Sequence, residues 1–280
     1  MPRLASQIHQ LEVPFEPGAG ELWKPCPMFR GSTSDDWLLT CHVSALRKGE
    51  SPHPPHRHPE EEILLLLAGE IDLIVPDGPP ERGGRRHRLQ PGQFVYYPAG
   101  YAHTLETVSE GAANYFMLKW HSHPIRKPPH KEFGIFTATT DTSAADGRKS
   151  AGFRTSLLFE DPTGYLRKLH CHTSILHPRS GYNPHADPYD VVIIVLEGEI
   201  VTLGKKLGRH GVVYYAAGER HGMQNPGDTA ARYLVFELHG APVGFSAGHV
   251  LRARSLLARW VDPGHWVRRV RRWSRDHGSR

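Results

Sequence analysis

The sequence is poor in cysteine, in long apolar runs and in helical periodicity, and each shortage excludes a class of protein. Its 280 residues include three cysteines, a sparse and odd set that argues against a disulfide framework and favours reduced thiols in a cytoplasmic protein. The longest apolar runs, residues 63–68 and 191–196, fall far short of the ~20 residues of a membrane span. Residues 1–10 lack the apolar centre of a secretory signal.

Positive charge is scarce outside the C-terminal end of the chain. The net charge is +5, yet residues 251–280 contain nine Arg and two Asp, a local charge of +7. The other 250 residues therefore carry a net charge of −2, which gives no support for nucleic-acid binding by the main body. Trp266, Val270 and Trp273 recur at helical spacing among the arginines, which predicts a basic amphipathic helix. Such a helix would either pack its Trp face on the protein or bind an anionic surface.

The sequence does contain an internal repeat of short apolar runs bounded by Gly and Pro. The repeat pairs residues 41–46 with 171–176, 68–71 with 197–200, and 96–100 with 214–218. Runs of about six apolar residues predict strands that are buried on both faces. Helical periodicity is nearly absent before residue 250, so the repeat predicts two all-β units, each a small barrel or sandwich.

The repeat also predicts how the chain is divided. We expect an N-terminal arm (1–35), a first domain (36–121), a linker (122–151), a second domain (152–240) and a basic helical tail (241–280). Proline-containing arms of this kind often cross onto a neighbouring domain or subunit, so a homodimer is one prediction.

The strongest chemical signal lies in the first copy of the repeat. His56, His58 and Glu62 are all even-numbered, so an extended strand would present the three side chains on one face. Two imidazoles and one carboxylate form a metal site that awaits a fourth ligand. A Gly- and Pro-containing turn then presents a third histidine, His103.

These spacings resemble the two motifs of the cupin superfamily. The first motif is matched by Gly49, His56, His58, Glu62 and Gly69, with one extra residue between Gly49 and His56. The second motif is matched by Gly92, Pro98, Gly100 and His103, with Thr107 in place of the usual Asn. The resemblance covers both copies and implies a bicupin, with two tandem double-stranded β-helix (jelly-roll) barrels and a short C-terminal helical tail. It implies that His56, His58, Glu62 and His103 bind a divalent transition metal. Fe(II) or Mn(II) is favoured, and Ni, Cu or Zn are alternatives.

The second copy departs from the motif. Asp187 stands where the first copy has His58, and Val191 stands where it has Glu62. Three candidate ligands remain: His185, Asp187 and His221. They form either a second metal site, with the two-His, one-carboxylate triad found in non-haem iron oxygenases, or the remnant of a site in a barrel that is now structural.

Several nearby residues are assigned ordinary structural roles. We expect Glu61 to be solvated, and Glu60 either to be solvated or, since it has the same parity as Glu62, to support a metal ligand. We expect Cys41 and Cys171 to pack as small hydrophobic residues, and the four tyrosines Tyr96, Tyr97, Tyr214 and Tyr215 to be core aromatics.

A buried multi-histidine metal site serves several reaction classes, and the fold does not choose among them. Our leading hypothesis is a metal-dependent oxidoreductase of the dioxygenase type that acts on a small oxygenated or acidic metabolite. The alternatives are a metal-dependent isomerase or lyase, which would not need O2, and a non-catalytic protein that binds a small ligand.

Overall fold

The computed structural model describes residues 1–35, 37–76, 84–125, 130–138 and 152–240, and the regular elements within them are β-strands. The strands are β1 (Gln7–His9), β2 (Trp23–Ser32), β3 (Leu38–Leu46), β4 (Glu61–Ala68), β5 (Ile71–Val75), β6 (Arg85–Leu89), β7 (Gln93–Tyr97), β8 (Thr104–Thr107), β9 (Ala113–His121), β10 (Gly134–Thr137), β11 (Phe153–Asp161), β12 (Lys168–Leu176), β13 (Gly181–His185), β14 (Asp190–Glu197), β15 (Ile200–Thr202), β16 (Lys205–Leu207), β17 (Val212–Tyr215), β18 (His221–Gln224) and β19 (Ala231–His239). The predicted helix in the tail, 241–280, lies outside the described residues. Among the described residues, no helix has the length and apolarity to cross a bilayer.

The strands form two barrels of like construction, which confirms the all-β, two-barrel fold. In the first barrel, a six-stranded sheet in the order β10-β7-β4-β9-β3-β2 faces the three-stranded sheet β6-β5-β8. In the second, the order β1-β17-β14-β19-β12-β11 faces β13-β18-β15-β16. Strands β3, β4, β7 and β9 are the repeat counterparts of β12, β14, β17 and β19, and they pair antiparallel in the same way.

The turn that follows β4 explains one glycine of the motif. Gly69 has a φ of +79°, and a Cβ there would lie 2.8 Å from the Cα of Ala113. Its counterpart Gly198, after β14, has a φ of +71° and is equally enclosed by Ala230 and Ala231. Only glycine adopts this backbone without strain, so each long strand can turn directly into the short sheet of its barrel.

The apolar residues divide among three cores. Alternate residues of β4, such as Leu64 and Leu66, line the interior of the first barrel. The intervening Ile63 and Leu65 belong to a larger core that both six-stranded sheets share, and Cys41 and Cys171 lie there too. These strands are therefore apolar on both faces because each face packs on a different core. The two barrels share one core, so the domain boundaries proposed above remain predictions.

Segments outside the repeat add an edge strand to each six-stranded sheet. The arm crosses onto the second barrel, where β1 pairs with β17. Gln10 of the same arm accepts a hydrogen bond from Gly208 N and donates one to Arg209 O. Strand β10 pairs with β7 of the first barrel.

The shared core contains two buried carboxylates at equivalent repeat positions, Glu61 and Asp190. The expectation that Glu61 is solvated is wrong, because it is fully buried. Its carboxylate accepts four hydrogen bonds: from Tyr96 Oη (3.0 Å), Trp120 Nε1 (2.6 Å), Thr163 Oγ1 (2.6 Å) and Gly164 N (2.6 Å). The neighbouring Glu60 is also buried, with 9% exposure, so it is not solvated; the alternative expectation fits, because its Oε2 lies 3.3 Å from His58 Nδ1. Glu61 thereby joins β4 of the first barrel to the loop that precedes β12 of the second.

Candidate functional site

The alternation of even-numbered residues predicted that His56 and His58 lie on a regular strand with Glu62, and this prediction is wrong. Strand β4 begins only at Glu61, and the segment 51–60 is irregular. It is held to the opposite side of the barrel by two backbone hydrogen bonds of 3.1 Å between His56 and His103. The two motifs therefore meet through the backbone, and this pairing brings their side chains together.

The structure brings the four predicted ligands of the first barrel together. One ring nitrogen from each of His56, His58 and His103 lies within 4.8 Å of the others. Glu62 Oε2 lies 3.0 Å from His58 Nε2 and 3.8 Å from His103 Nε2. Glu62 is fully buried, and His58 and His103 are nearly so.

Backbone carbonyls orient the three imidazoles. His56 Nδ1 faces His103 O at 3.3 Å, His58 Nδ1 faces Glu60 O at 3.0 Å, and His103 Nδ1 faces Tyr101 O at 3.0 Å. If each Nδ1 carries the proton and donates it, each Nε2 is left with a lone pair. That tautomer is the one a metal-binding histidine requires, with its other nitrogen fixed by an outer partner.

The protonation states of His56, His103 and Glu62 also suit metal binding. Burial lowers the pKa of His56 to about 2 and that of His103 to about 4, so both rings are neutral. Burial alone would raise the pKa of Glu62, but Lys119, His58 and His103 hold it well below its usual range. Burial would lower the pKa of His58, but hydrogen bonds with Glu60 and Glu62 raise it.

Two further side chains face the site, and the sequence analysis missed the role of both. Lys119, opposite Glu62 on β9, places Nζ 2.9 Å from Glu62 Oε2 and 3.4 Å from His58 Nε2. Tyr97, opposite Glu62 on β7, stacks on His103 with ring centroids 4.0 Å apart. Its buried hydroxyl has no hydrogen-bond partner among the described residues. A charged residue inside an otherwise apolar strand was the available signal for Lys119.

These residues fit a divalent transition metal. Three imidazoles, of which His56 and His103 are neutral, converge with one ionised carboxylate, and Glu62 Oε1 is buried without a hydrogen-bond partner among the described residues. An unpaired buried carboxylate oxygen is costly unless a ligand satisfies it. That these four residues bind a metal remains a prediction.

The second-barrel residues also approach one another, in a more open setting. Asp187 Oδ2 lies 3.3 Å from His221 Nε2 and 3.6 Å from His185 Nε2. The side chain of His185 is 48% exposed and that of Asp187 is 22% exposed, whereas His221 is buried and stacks on Tyr215. Asp190 points away from this group and accepts hydrogen bonds from Tyr214 Oη (2.6 Å) and Ala217 N (3.2 Å).

A third group of metal-ligand type lies in the second barrel and was not predicted. One ligand atom from each of His170, His172 and Glu237 lies within 4.8 Å of the others. Burial lowers the pKa of His172 to about 4. Burial would raise the pKa of Glu237, but a hydrogen bond from His239 and the nearby imidazoles lower it.

Comparison with known proteins supports the fold and bears on the chemistry. Residues 42–119 match the cupin domain family profile. A protein of Pseudomonas aeruginosa described as a candidate glyoxylate-induced protein superposes with a TM-score of 0.64 and 14% identity, over 87% of this chain and 92% of that one. A cupin 2 conserved barrel domain protein from Leptotrichia buccalis superposes with a TM-score of 0.55 and 11% identity, over 84% of this chain and 97% of that one. At these identities the likeness is one of fold.

One curated protein resembles a short part of the chain at the sequence level. The dimethylsulfoniopropionate lyase DddQ of Ruegeria pomeroyi is 40% identical over 55 residues. The match covers 20% of this chain and 24% of the lyase, so it relates a segment of the two proteins and not their full lengths.

Proposed function

We propose that the chain, whose residues 42–119 match the cupin domain family and which folds as two barrels of like construction, is a metal-dependent lyase acting on a small carboxylic acid in its first barrel. The observation that carries the proposal is the convergence of His56, His58, Glu62 and His103 around one point, with Lys119 beside them. Those four residues would hold the metal, which when bound would supply Lewis-acid polarisation of a substrate oxygen.

Lys119 defines the charge of the substrate. Its ammonium lies at the ligand Glu62, inside the barrel, and its side chain is 22% exposed. An anionic group of a substrate would bind this ammonium by a charge-assisted hydrogen bond, next to the metal ligands. A small carboxylate satisfies the charge of such an interior.

Tyr97 supplies a neutral hydrogen-bond donor to the same space. Burial raises the pKa of its hydroxyl well above the usual range, so the phenol keeps its proton. Stacking on His103 fixes the ring beside a predicted ligand. A substrate oxygen or leaving group within the barrel can therefore accept a hydrogen bond from Tyr97.

The lyase class is supported by the segment shared with the dimethylsulfoniopropionate lyase. An elimination needs no oxidant, because the C–H bonding electrons form the new double bond and the leaving group departs with its own electron pair. The proton passes to water or to a side chain. We therefore place the lyase alternative ahead of the dioxygenase predicted from the ligand pattern, and the compartment and any dimer remain predictions.

The test uses the purified chain with its metal and two gas conditions. Dimethylsulfoniopropionate and other β-substituted carboxylates are supplied, and the unsaturated acid product is measured with and without O2. A lyase gives the same rate in both conditions. O2 uptake in proportion to product would instead support the dioxygenase. No turnover with the metal present, together with ligand affinity that persists after metal removal, would support a binding protein.

Two variants assign roles to the residues. His103→Ala should lower both metal content and turnover, because it removes one of four ligands. Lys119→Met should retain the metal and raise KM by about 10–100-fold, the usual worth of a hydrogen bond to a charged group. The control is Lys48→Met on the surface of the same barrel, where Lys48 pairs with Glu110. Equal KM values for the two lysine variants would reject the substrate role of Lys119.

A further inference from the structure

We propose that the second barrel binds a divalent transition metal through His170, His172 and Glu237, a site displaced from the motif positions His185, Asp187 and His221. The three residues lie on two neighbouring strands of the six-stranded sheet. His170 and His172 alternate on β12, and Glu237 faces His170 directly across the pair β12/β19. The site is independent of the proposed lyase function, which belongs to the first barrel.

The local geometry follows from strand alternation. Residues two apart on a strand point to the same side of a sheet. Cys171, between the two histidines, belongs to the core shared by both sheets, so His170 and His172 face the interior of the second barrel. Their ring centroids are 5.0 Å apart. One atom of each of the three side chains lies within 4.8 Å of the others, so small side-chain rotations would bring them onto one ion at about 2.0–2.2 Å.

Outer partners hold two of the ligands in place. Glu160 Oε2 lies 2.6 Å from His170 Nδ1 and can accept its proton, which leaves Nε2 for a metal. His239 Nε2 lies 3.0 Å from Glu237 Oε2, and the His239 ring contacts that of Tyr189 with ring centroids 3.8 Å apart. A carboxylate behind a histidine and a donor behind a carboxylate are the outer contacts that metal ligands usually have.

His172 has an unpaired ring nitrogen, as does its first-barrel counterpart His42, but in the second barrel an imidazole and a carboxylate lie beside it. His172 Nδ1 is buried and has no hydrogen-bond partner among the described residues. A buried polar atom left without a partner is destabilising, and a coordinated ion would remove that cost.

The first barrel provides an internal comparison. The repeat places Thr40, His42 and Lys119 at the positions of His170, His172 and Glu237. A lysine and a threonine cannot replace a carboxylate and an imidazole as ligands, so the group exists only in the second barrel. Conversely, Val191 replaces the first-barrel ligand Glu62. The second barrel thus has no carboxylate at one interior position and has one on the adjacent strand, where the first barrel has Lys119.

The ligand set indicates the class of metal. Two imidazoles and one carboxylate suit Zn²⁺, Co²⁺, Ni²⁺ or Fe²⁺ and disfavour Ca²⁺ and Mg²⁺, which prefer oxygen ligands. His170 and Glu237 have side chains that are 22% and 18% exposed. Water or a small anion can therefore reach the open coordination positions.

The experiment isolates this site by removing the motif ligands. In a chain carrying His56→Ala, His103→Ala, His185→Ala and His221→Ala, Co²⁺ is added, excess metal is removed by desalting, and bound cobalt is measured together with its visible absorption. We expect one equivalent to remain. Adding His172→Gln or Glu237→Gln should abolish it, whereas His177→Gln, an exposed histidine just beyond β12, should not.

The single variants keep the proposal testable should the multiple variant fail to fold. In the otherwise unchanged chain, Glu237→Gln and His172→Gln should each bind one equivalent of Co²⁺ less than His177→Gln, with circular dichroism spectra unchanged. Equal cobalt stoichiometry in all three variants overturns the proposal. So does a folded multiple variant that retains no cobalt.

Discussion

Removing the charge from Glu61 and from Asp190 should change stability in opposite directions, although the two residues occupy equivalent positions in the repeat. Each is a buried carboxylate in the shared core that accepts a hydrogen bond from the equivalent tyrosine, Tyr96 or Tyr214. They differ in how their two oxygens are used. The perturbations are Glu61→Gln and Asp190→Asn, which keep the shape and remove the charge.

At Glu61, each of the two carboxylate oxygens accepts two hydrogen bonds. Oε1 accepts from Tyr96 Oη and Gly164 N, and Oε2 accepts from Trp120 Nε1 and Thr163 Oγ1. The amide group of glutamine must face one of these pairs. The Tyr96 hydroxyl can turn to accept, but Gly164 N–H cannot, so at least one buried donor is left unpaired at about 1–3 kcal/mol. The other bonds lose charge assistance. Because burial raises the pKa of Glu61, removing its charge offsets part of this, and we expect a net loss of about 2 kcal/mol.

At Asp190, both described donors, Tyr214 Oη and Ala217 N, reach the same oxygen, Oδ1. Asparagine can keep that oxygen as an acceptor and lose only the charge. Burial raises the pKa of Asp190 to about 6 from 3.8. Because its pKa is higher in the folded protein, Asp190 contributes stability at pH values below its pKa in the unfolded chain. This contribution is lost as the pH rises through about 6. At pH 8 the charge therefore costs up to about 3 kcal/mol, so Asp190→Asn should stabilise by about 2 kcal/mol there and by little at pH 4.

The assay is guanidinium unfolding followed by tryptophan fluorescence, at pH 8 and at pH 4. A change of 2 kcal/mol corresponds to roughly 4–8 °C in Tm for a chain of this size, which a thermal melt would confirm. The double variant should show the sum of the two effects, since the two residues share no described hydrogen-bond partner. Destabilisation by Asp190→Asn at pH 8, or an effect independent of pH, would refute the reasoning, as would a neutral Glu61→Gln.

Two further predictions concern the edges and the thiols. Deleting residues 1–10 removes β1 and exposes β17 as a sheet edge, so the Tm should fall and light scattering should reveal self-association; an unchanged monomer with an unchanged Tm would contradict this. Burial raises the pKa of the Cys41 and Cys171 thiols well above the usual range. A thiol reagent should therefore label the half-buried Cys26 first and the other two cysteines only on unfolding, and rapid labelling of all three would contradict this prediction.

The fold was predictable because the repeat and the doubly buried strands are properties of local sequence. The run in β4 from Ile63 to Leu67 is apolar on both faces because one face meets the barrel interior and the other meets the second barrel. The sequence could not say that the two six-stranded sheets would share that second core. Nor could it say that the arm would pair with β17, because such pairing depends on contacts about 200 residues apart.

The four first-barrel residues were predicted from motif spacing, but the reason given for their convergence was wrong. Parity assumes that residues 56–62 form one extended strand, whereas β4 begins at Glu61. Backbone pairing of His56 with His103 turns the irregular segment so that the side chains meet. A motif spacing reflects the whole loop geometry, and alternation describes only a regular strand, so the first can succeed where the second fails.

The residues that were missed share one physical property, which a different rule would have detected. Glu61, Lys119, Asp190 and Glu237 are charged residues that begin or interrupt strands containing apolar runs. On a strand with one solvated face, a charge is ordinary. On a strand whose apolar runs indicate two buried faces, no solvated face is available, so a charge must be paired, hydrogen-bonded or bound to an ion. Glu61 and Asp190 accept hydrogen bonds, and Lys119 pairs with Glu62. The described partners of Glu237 are mainly histidines, so a metal ion bound by all of them would best satisfy its charge.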